Sequence, residues 1–429
     1  MASVPPKAMH RWLVVDGGGS QSNERLKNGP LRCRGHMVGW RMSRRWMSSV
    51  TGRAAGSMEE LRRVLPITLD IHRLRGLPAS AIPSVAYHPD APERSSLASR
   101  IRVRLPLSTS PELREQYALF GSPHLLRLGR VLEDLDGIAG DIAYRHAGQG
   151  SSSIVTACMD RMALFHRMST NDDLEIDGAV TWVGTTSLNI DLVVRSVCAD
   201  RAATPLAKSS FLMVSRTKEQ NNGVPVPKLV PADAEESERF RQVQQRRSHR
   251  GRPARACAPG LSGPEAALID ELHKSRLESP DGFVWQRDAS DARTLLMHSQ
   301  SRNIYGRIFG GYLMAQAYEL AWLTTYKLAR AMPTPTFIDD VTFIRPVEIA
   351  SVVTMNARVV YASTTEALVD VEAIVQQPAT GESVLTNTFH FGFDVGPRCR
   401  PVVPDSYREI LSFAEGRRRF QQCQAGLSS

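Results

Sequence analysis

The chain reads as an α+β protein made of two similar repeats, each one long helix followed by an antiparallel sheet, paired as a pseudo-dimer. Three observations predict this. Two stretches, Leu125–His146 and Gly311–Trp322, carry apolar residues at helical spacing. Each is followed by runs of alternating apolar and polar residues separated by Thr, Ser, Gly and Pro turns. Landmarks in the two halves recur at an offset of about 180 residues: Gly129 with Gly310-Gly311, Asp160 with Asp340, and Thr185-Thr186 with Thr364-Thr365. A near-constant offset across three landmarks marks a duplicated domain, not an array of small repeats. Two helix-on-sheet repeats then bury their faces together and share a site between them.

The 429 residues, 42% apolar and 23% charged, have room and composition for two or three globular domains. The net charge of +9 is concentrated at the start, where ten basic residues up to Met58 face only Asp16 and Glu24. The remainder is close to neutral, which argues against a nucleic-acid-binding body. An Arg- and Ser-rich, acid-poor leader over residues 1–57 has the composition of an organellar transit peptide, with Met42, Trp46 and Val50 able to share a helical face. Trp12–Gly19 suggests a strand entering a phosphate loop, but the Lys-Ser/Thr ending is missing. No apolar run reaches membrane-spanning length, so no stable membrane insertion is expected. The six cysteines show no C-x-x-C spacing, the pattern of reduced thiols rather than a disulfide framework or zinc site.

Residues 58–112 read as an N-terminal extension, with a short helix at Met58–Leu65, an irregular Pro-rich stretch from Leu77 to Arg94 and a strand at Arg100–Pro106. Ser110 then stands as an N-cap with Pro111 at the first helical position. The first repeat spans 113–225. Its helix buries Val131, Leu135, Ile138 and Ile142, and places Glu133 and Asp136 on one face with Asp134 on another. Strands follow at Ser153–Asp160, Asp177–Val183, Thr185–Val194 and Ala207–Ser215. A linker over 226–275 combines a charged helix, Glu235–Gln245, with a breaker-rich basic run, Arg246–Arg255, that reads as a solvated crossing. It ends in a helix at Pro264–His273. The second repeat, 276–396, has strands at Ala292–His298, Pro335–Ile344, Val352–Tyr361, Ala367–Val375 and Val384–Phe393. Residues 397–429 read as a tail.

The chemistry concentrates in Ser301–Trp322, a polar glycine-punctuated loop running into a helix. Paired glycines before a helix allow close backbone approach and leave the first N–H groups open to an oxyanion or carbonyl oxygen. His146, His298 and His390 have no acid or Cys at a telling spacing and read as packed or surface histidines.

Asn303–Met314, Ala317–Trp322, Asp339–Glu348 and Asn387–Phe391, together with Leu107–Glu115, Gly129–Gly140 and Gly178–Gly184, resemble the acyl-CoA thioesterase 9 family, mitochondrial double-hotdog acyl-coenzyme A thioester hydrolases. The likeness runs over most of Arg100–Arg419. It implies a double-hotdog fold, a mitochondrial matrix location and hydrolysis of acyl-CoA to free acid and coenzyme A. It also implies association of chains, as a trimer of double-hotdog chains in relatives. In that family the glycine loop of one repeat faces the acid-bearing helix of the other, so Asp136 is expected to face Asn303, Gly310 and Gly311. A thioester carbonyl needs its oxygen polarised and a neighbouring water deprotonated. Asp136 suits the base, Asn303 the placing of water, and the Gly310 and Gly311 amides the oxyanion. Glu133 and Asp134 are the alternative bases. Arg307, standing where several hotdog thioesterases keep an Asn, suits coenzyme A phosphates, with Phe309 and Tyr312 beside it as substrate contacts. No metal or redox cofactor is called for, since coenzyme A arrives as part of the substrate. The reciprocal site falls on Ala317 or Tyr318 with Glu319 just beyond, opposite Leu126–Gly129, and reads as decayed. The alternatives are a protein that binds acyl-CoA without cleaving it, a hotdog dehydratase, for which a His–acid pair is wanted, and an RNA-associated protein using the basic linker.

Overall fold

Residues 92–119, 121–148, 152–198, 200–217, 222–250, 260–301, 307–397 and 399–425 are described by a computed structural model of the chain. The leader, the helix expected at Met58–Leu65, the Trp12–Gly19 stretch, Asn303 and most of the basic run after Arg250 lie outside them.

In the first repeat, β1 (Ile101–Leu105) and the short helix α1 (Pro111–Tyr117) lead into α2 (Leu128–Ala147). Ser110 caps α1 as expected, its hydroxyl accepting from the Leu113 N–H at 3.3 Å. The strands β2 (Ser152–Met159), β3 (Met162–Leu164), β4 (Asp173–Val183), β5 (Ser187–Cys198) and β6 (Arg201–Thr217) follow. Linker helices α3 (Ala234–Arg250) and α4 (Gly263–Glu278) cross to the second repeat. That repeat repeats the order: β7 (Ser290–Leu296), α5 (Gly310–Ala329), β8 (Thr334–Ile338), β9 (Val341–Thr342), β10 (Val352–Ala362), β11 (Glu366–Gln376) and β12 (Ser383–Asp394). A last helix, α6 (Tyr407–Ala425), packs on β10 and β11.

These twelve strands join one antiparallel sheet, ordered β7-β10-β11-β12-β8-β3-β6-β5-β4-β1, with β9 paired to β2 and β2 to β6. The seam between the repeats is therefore hydrogen-bonded, Phe337 and Ile338 opposite Ala163 and Met162, and Val341 and Thr342 opposite Met159 and Cys158. Each long helix lies against the strands of its own repeat, and the two helices pack on each other. The strands show why: inward positions such as Ile190, Leu192 and Val194, or Phe389 and Phe391, alternate with less buried ones and are fully buried. Burial of each such side chain contributes about 1.5–3 kcal/mol, so the helix-facing side of the sheet is the core.

Four features differ from the sequence reading. The expected strand Pro335–Ile344 is broken into β8 and β9 at Asp339-Asp340, because both carboxylates are drawn to Arg161 across the seam. Ile101–Leu105, placed in the extension, is an edge strand of the first repeat, paired with β4. The linker helix continues to Arg250, and Arg247 is half-buried rather than solvated, donating to Asp160 at 3.1 Å. The tail holds the helix α6, whose Phe413 and Phe420 are buried against Tyr361.

Candidate active site

The site forms where the N-terminus of α5 meets the middle of α2. Phe309 is the N-cap of α5 and lacks a capping side chain, so the first amides of that helix look for acceptors elsewhere. Asp136, nine residues into α2 and fully buried, supplies one. Its Oδ2 accepts from the Gly311 N–H at 2.7 Å, and its Oδ1 accepts from the Thr156 hydroxyl of β2 at 2.6 Å. Burial pushes its carboxyl up to about 6, with the Thr156 and Gly311 hydrogen bonds pulling the other way. Each carboxylate oxygen keeps a second lone pair, so the group can still accept a proton.

Close approach of the two helices depends on Gly311. A Cβ there would stand 2.9 Å from the Glu133 Cα and 3.0 Å from the Asp136 Cβ. Gly310, beside it, has an amide without a partner among the described residues and lines a cavity of about 340 Å3. Asp136 and Thr156 border the same cavity, and so do the apolar Ile154, Met213, Leu313 and Phe343. Arg216 of β6 and Arg307 and Arg345 of the second repeat add positive charge to its lining.

Chain symmetry produces a second, smaller space. Tyr318 is the ninth residue of α5 as Asp136 is of α2, and Gly129 is the second residue of α2 as Gly311 is of α5. Tyr318 is buried against Phe391 and Phe393, and borders a cavity of only about 50 Å3 lined by Leu125, Leu126 and Leu128. Glu319 beyond it is held by Arg127, whose Nε donates at 2.7 Å, and lies 3.7 Å from Arg293.

A family model described as "Thioesterase superfamily" matches residues 305–382. Mitochondrial acyl-coenzyme A thioesterase 9 of Mus musculus is 32% identical over 348 residues, which cover 77% of this chain and 79% of the relative. The chain belongs to the acyl-coenzyme A thioesterase family. The Homo sapiens thioesterase 9 is likewise 32% identical, over 77% of this chain and 78% of its own. The chloroplastic acyl-coenzyme A thioesterase 2 of Humulus lupulus is 33% identical over 76% of this chain and 82% of its own. Among solved structures, an acyl-CoA hydrolase from Bacillus cereus is 22% identical, with a TM-score of 0.32 over 44% of this chain and 97% of its own. Family, hotdog fold, acyl-CoA hydrolysis and mitochondrial location thus agree with the expectations from sequence. Among the described residues no helix is long and apolar enough to cross a membrane, and no group of His, Cys, Asp or Glu could hold a metal ion.

The residues singled out from sequence divide as follows. Asp136, Gly310 and Gly311 come together, whereas Asn303 lies outside the described residues. The expected pair of oxyanion amides is split, because the Asp136 carboxylate from the facing helix captures the Gly311 amide. Arg307 lines the cavity and lies 3.4 Å from Glu348, and Phe309 lines it too. Tyr312 is half-buried against the core and outside the cavity lining. The alternative bases are engaged elsewhere: Glu133 accepts from Arg130 at 2.9 Å, and Asp134 accepts from the Tyr117 hydroxyl at 2.6 Å. His390, read as unpartnered, is paired with Asp370 at 2.6 Å across β11 and β12, but neither lines the cavity. His146 is buried against the Pro227 carbonyl, and burial pushes its pKa down to about 4. His298 is exposed. Thr156, Arg216 and Arg345 were missed. The alternation of Ser153–Asp160 placed Thr156 in a strand, but only the pairing across space shows that it faces Asp136.

Proposed function

We propose that Asp136 is the general base of acyl-CoA hydrolysis at a single working site between the two repeats. The observation that carries this is the Asp136 Oδ2 of the first repeat 2.7 Å from the Gly311 nitrogen of the second, beside the cavity. A thioester carbonyl entering there meets the open Gly310 amide, which donates to its oxygen as negative charge develops. Asp136 takes a proton from a water, the resulting hydroxide adds to the carbonyl carbon, and the C–S bond then breaks. The departing sulfur receives the proton that Asp136 took, giving free acid and coenzyme A. A carboxyl raised to about 6 is mostly ionised near neutral pH yet basic enough to accept a proton. Thr156 and the Gly311 amide hold the carboxylate in place. Asn303 is assigned to placing the water, and Arg216, Arg307 and Arg345 to the phosphates of coenzyme A.

The reciprocal site has Tyr318 where a base is needed, and burial pushes its phenol further above its ordinary range. The reading therefore has one active cavity per chain. It requires no metal or redox cofactor, and chains are expected to associate, which light scattering of the purified protein tests. The experiment for the reaction is a series of short to long acyl-CoAs followed with a thiol reagent in wild type and Asp136→Asn. The expected result is turnover in wild type and a loss of about 10²–10⁴-fold in kcat for the variant, with substrate binding kept. Unchanged turnover in the variant would discard Asp136 as base, and no turnover in wild type would favour a protein that only binds acyl-CoA.

A further inference from the structure

The two repeats differ on the outer face of the sheet. In the second, α6 seals that face with Phe413 and Phe420, whose rings lie 5.5 and 5.8 Å from Tyr361, and Phe420 also lies 5.3 Å from Phe337. In the first, α3 takes the corresponding place after its sheet, but its inward stripe is Glu236, Arg239, Val243 and Arg247 at helical spacing. Val243 is buried and Arg247 half-buried, and together they anchor the helix. Toward its start a cavity of about 360 Å3 opens between α3, the Ser96–Ser99 turn of helix and strands β4, β5 and β6. It is separate from the cavity holding Asp136, with no lining residue in common.

Charge in this space leans positive, with Arg100, Arg195, Lys208 and Arg239 against Asp177, Asp191 and Glu236. Asp177 is already taken by Arg100, whose Nε donates at 2.8 Å, and by Arg102 at 2.8 Å. Asp191 accepts from Asn189 at 2.9 Å and from the Ser210 hydroxyl. Glu236 accepts from the Ser96 hydroxyl and from the Ala232 amide at 2.8 Å. The cations are less well served. Lys208 has no partner among the described residues, and Arg195 comes no nearer than 3.5 Å to a carboxylate. Arg239, on α3, pairs with the exposed Glu235 and with no other carboxylate among the described residues. Three cations from two sides of the cavity, facing carboxylates that are already occupied, attract a compact anion able to take several charge-assisted hydrogen bonds at once.

The geometry points to a second ligand site here, for a small phosphate-bearing molecule bridging Lys208 and Arg195 of the sheet to Arg239 of α3. Neither repeat of the catalytic reading needs such a site, so its failure leaves Asp136 untouched. Pyrophosphate and glycerol 3-phosphate are the probes, separating free phosphate from a phosphate ester. Titration calorimetry of the full chain is expected to give saturable binding of at least one of them. The double variant Lys208→Glu, Arg195→Gln should weaken that binding at least tenfold, while Arg345→Gln in the catalytic cavity should not change it. Slower amide exchange in α3 on adding the ligand to wild type gives the same answer without a variant. The proposal is overturned if neither probe binds saturably, if Arg345→Gln weakens binding as much as the double variant, or if exchange in α3 is unaffected.

Discussion

Replacing Gly311 by Ala tests how the two helices meet. The added methyl would stand 2.8 Å from the Phe309 Cε1, 2.9 Å from the Glu133 Cα and 3.0 Å from the Asp136 Cβ. Carbon atoms in good contact lie about 3.5–4.0 Å apart, so each gap is short by roughly half an ångström or more. The Phe309 ring can turn aside, but the Glu133 Cα belongs to the backbone of α2 and moves only with its helix. The helices must therefore separate, at a cost of about 1–3 kcal/mol for an overpacked core. The same shift stretches the 2.7 Å hydrogen bond from the Gly311 amide to Asp136. A misplacement of about 1 Å in a catalytic group costs on the order of 10²-fold in rate, so kcat should fall roughly 10–100-fold with KM little changed. Gly129 supplies the control. It holds the equivalent place in α2, yet its nearest contacts would be 3.4 Å, to the Ala315 carbonyl oxygen and Glu319 Oε1. Gly129→Ala should therefore keep wild-type turnover and thermal midpoint. Steady-state rates with a thiol reagent, set beside thermal melts, decide the matter. Equal loss in both variants, or wild-type kcat in Gly311→Ala, would refute the packing argument.

Other expectations follow from the same contacts. Thr156→Val removes the hydroxyl that donates to Asp136 at 2.6 Å. It should lower kcat about tenfold and raise the apparent pKa of the rate profile, since a hydrogen bond favouring the charged carboxylate is gone. Tyr318→Phe should leave kcat unchanged, because the reciprocal cavity, at about 50 Å3, is too small for the substrate; a drop larger than twofold in steady-state turnover would give Tyr318 a part in catalysis. Asp136→Asn should raise stability above pH 6. Asp136 has its folded pKa raised from 3.8 to about 6, so the folded state holds the extra proton between those values and wild-type stability falls as pH rises through them. The full effect above pH 6 is on the order of 3 kcal/mol. Thermal melts of wild type and variant should thus diverge at pH 8 and converge near pH 4, and parallel melts across that range would contradict the buried, ionised carboxylate.

Much of this architecture was legible in the sequence because hydrophobic period survives in single segments. The stripe Val131, Leu135, Ile138 and Ile142 gave α2, and the Thr185-Thr186 and Thr364-Thr365 turns fall between β4 and β5 and between β10 and β11. The offset between repeats was visible because duplicated helices and turns keep their lengths; both long helices have 20 residues. Asp136 could be chosen over Glu133 and Asp134 only through the family likeness, since helical phase alone left Glu133 on its face. Contacts between distant segments were hidden. Nothing local to Thr156 says that it meets Asp136, and nothing local to Arg247 says that it packs against Asp160. The break in the strand at Asp339-Asp340 comes likewise from a partner, Arg161, nearly 180 residues away. The last helix, α6, was missed because its mean hydropathy is low and only Phe413, Ala414, Gly416, Phe420 and Cys423 turn inward.

The most direct measurement is the pH dependence of kcat/KM for wild-type hydrolysis between pH 4.5 and 8. With Asp136 as the base, the rate should climb about tenfold per unit while the carboxyl is protonated and level off above about 6. A profile flat across this range, or the same limb persisting in Asp136→Asn, would mean that some other group removes the proton.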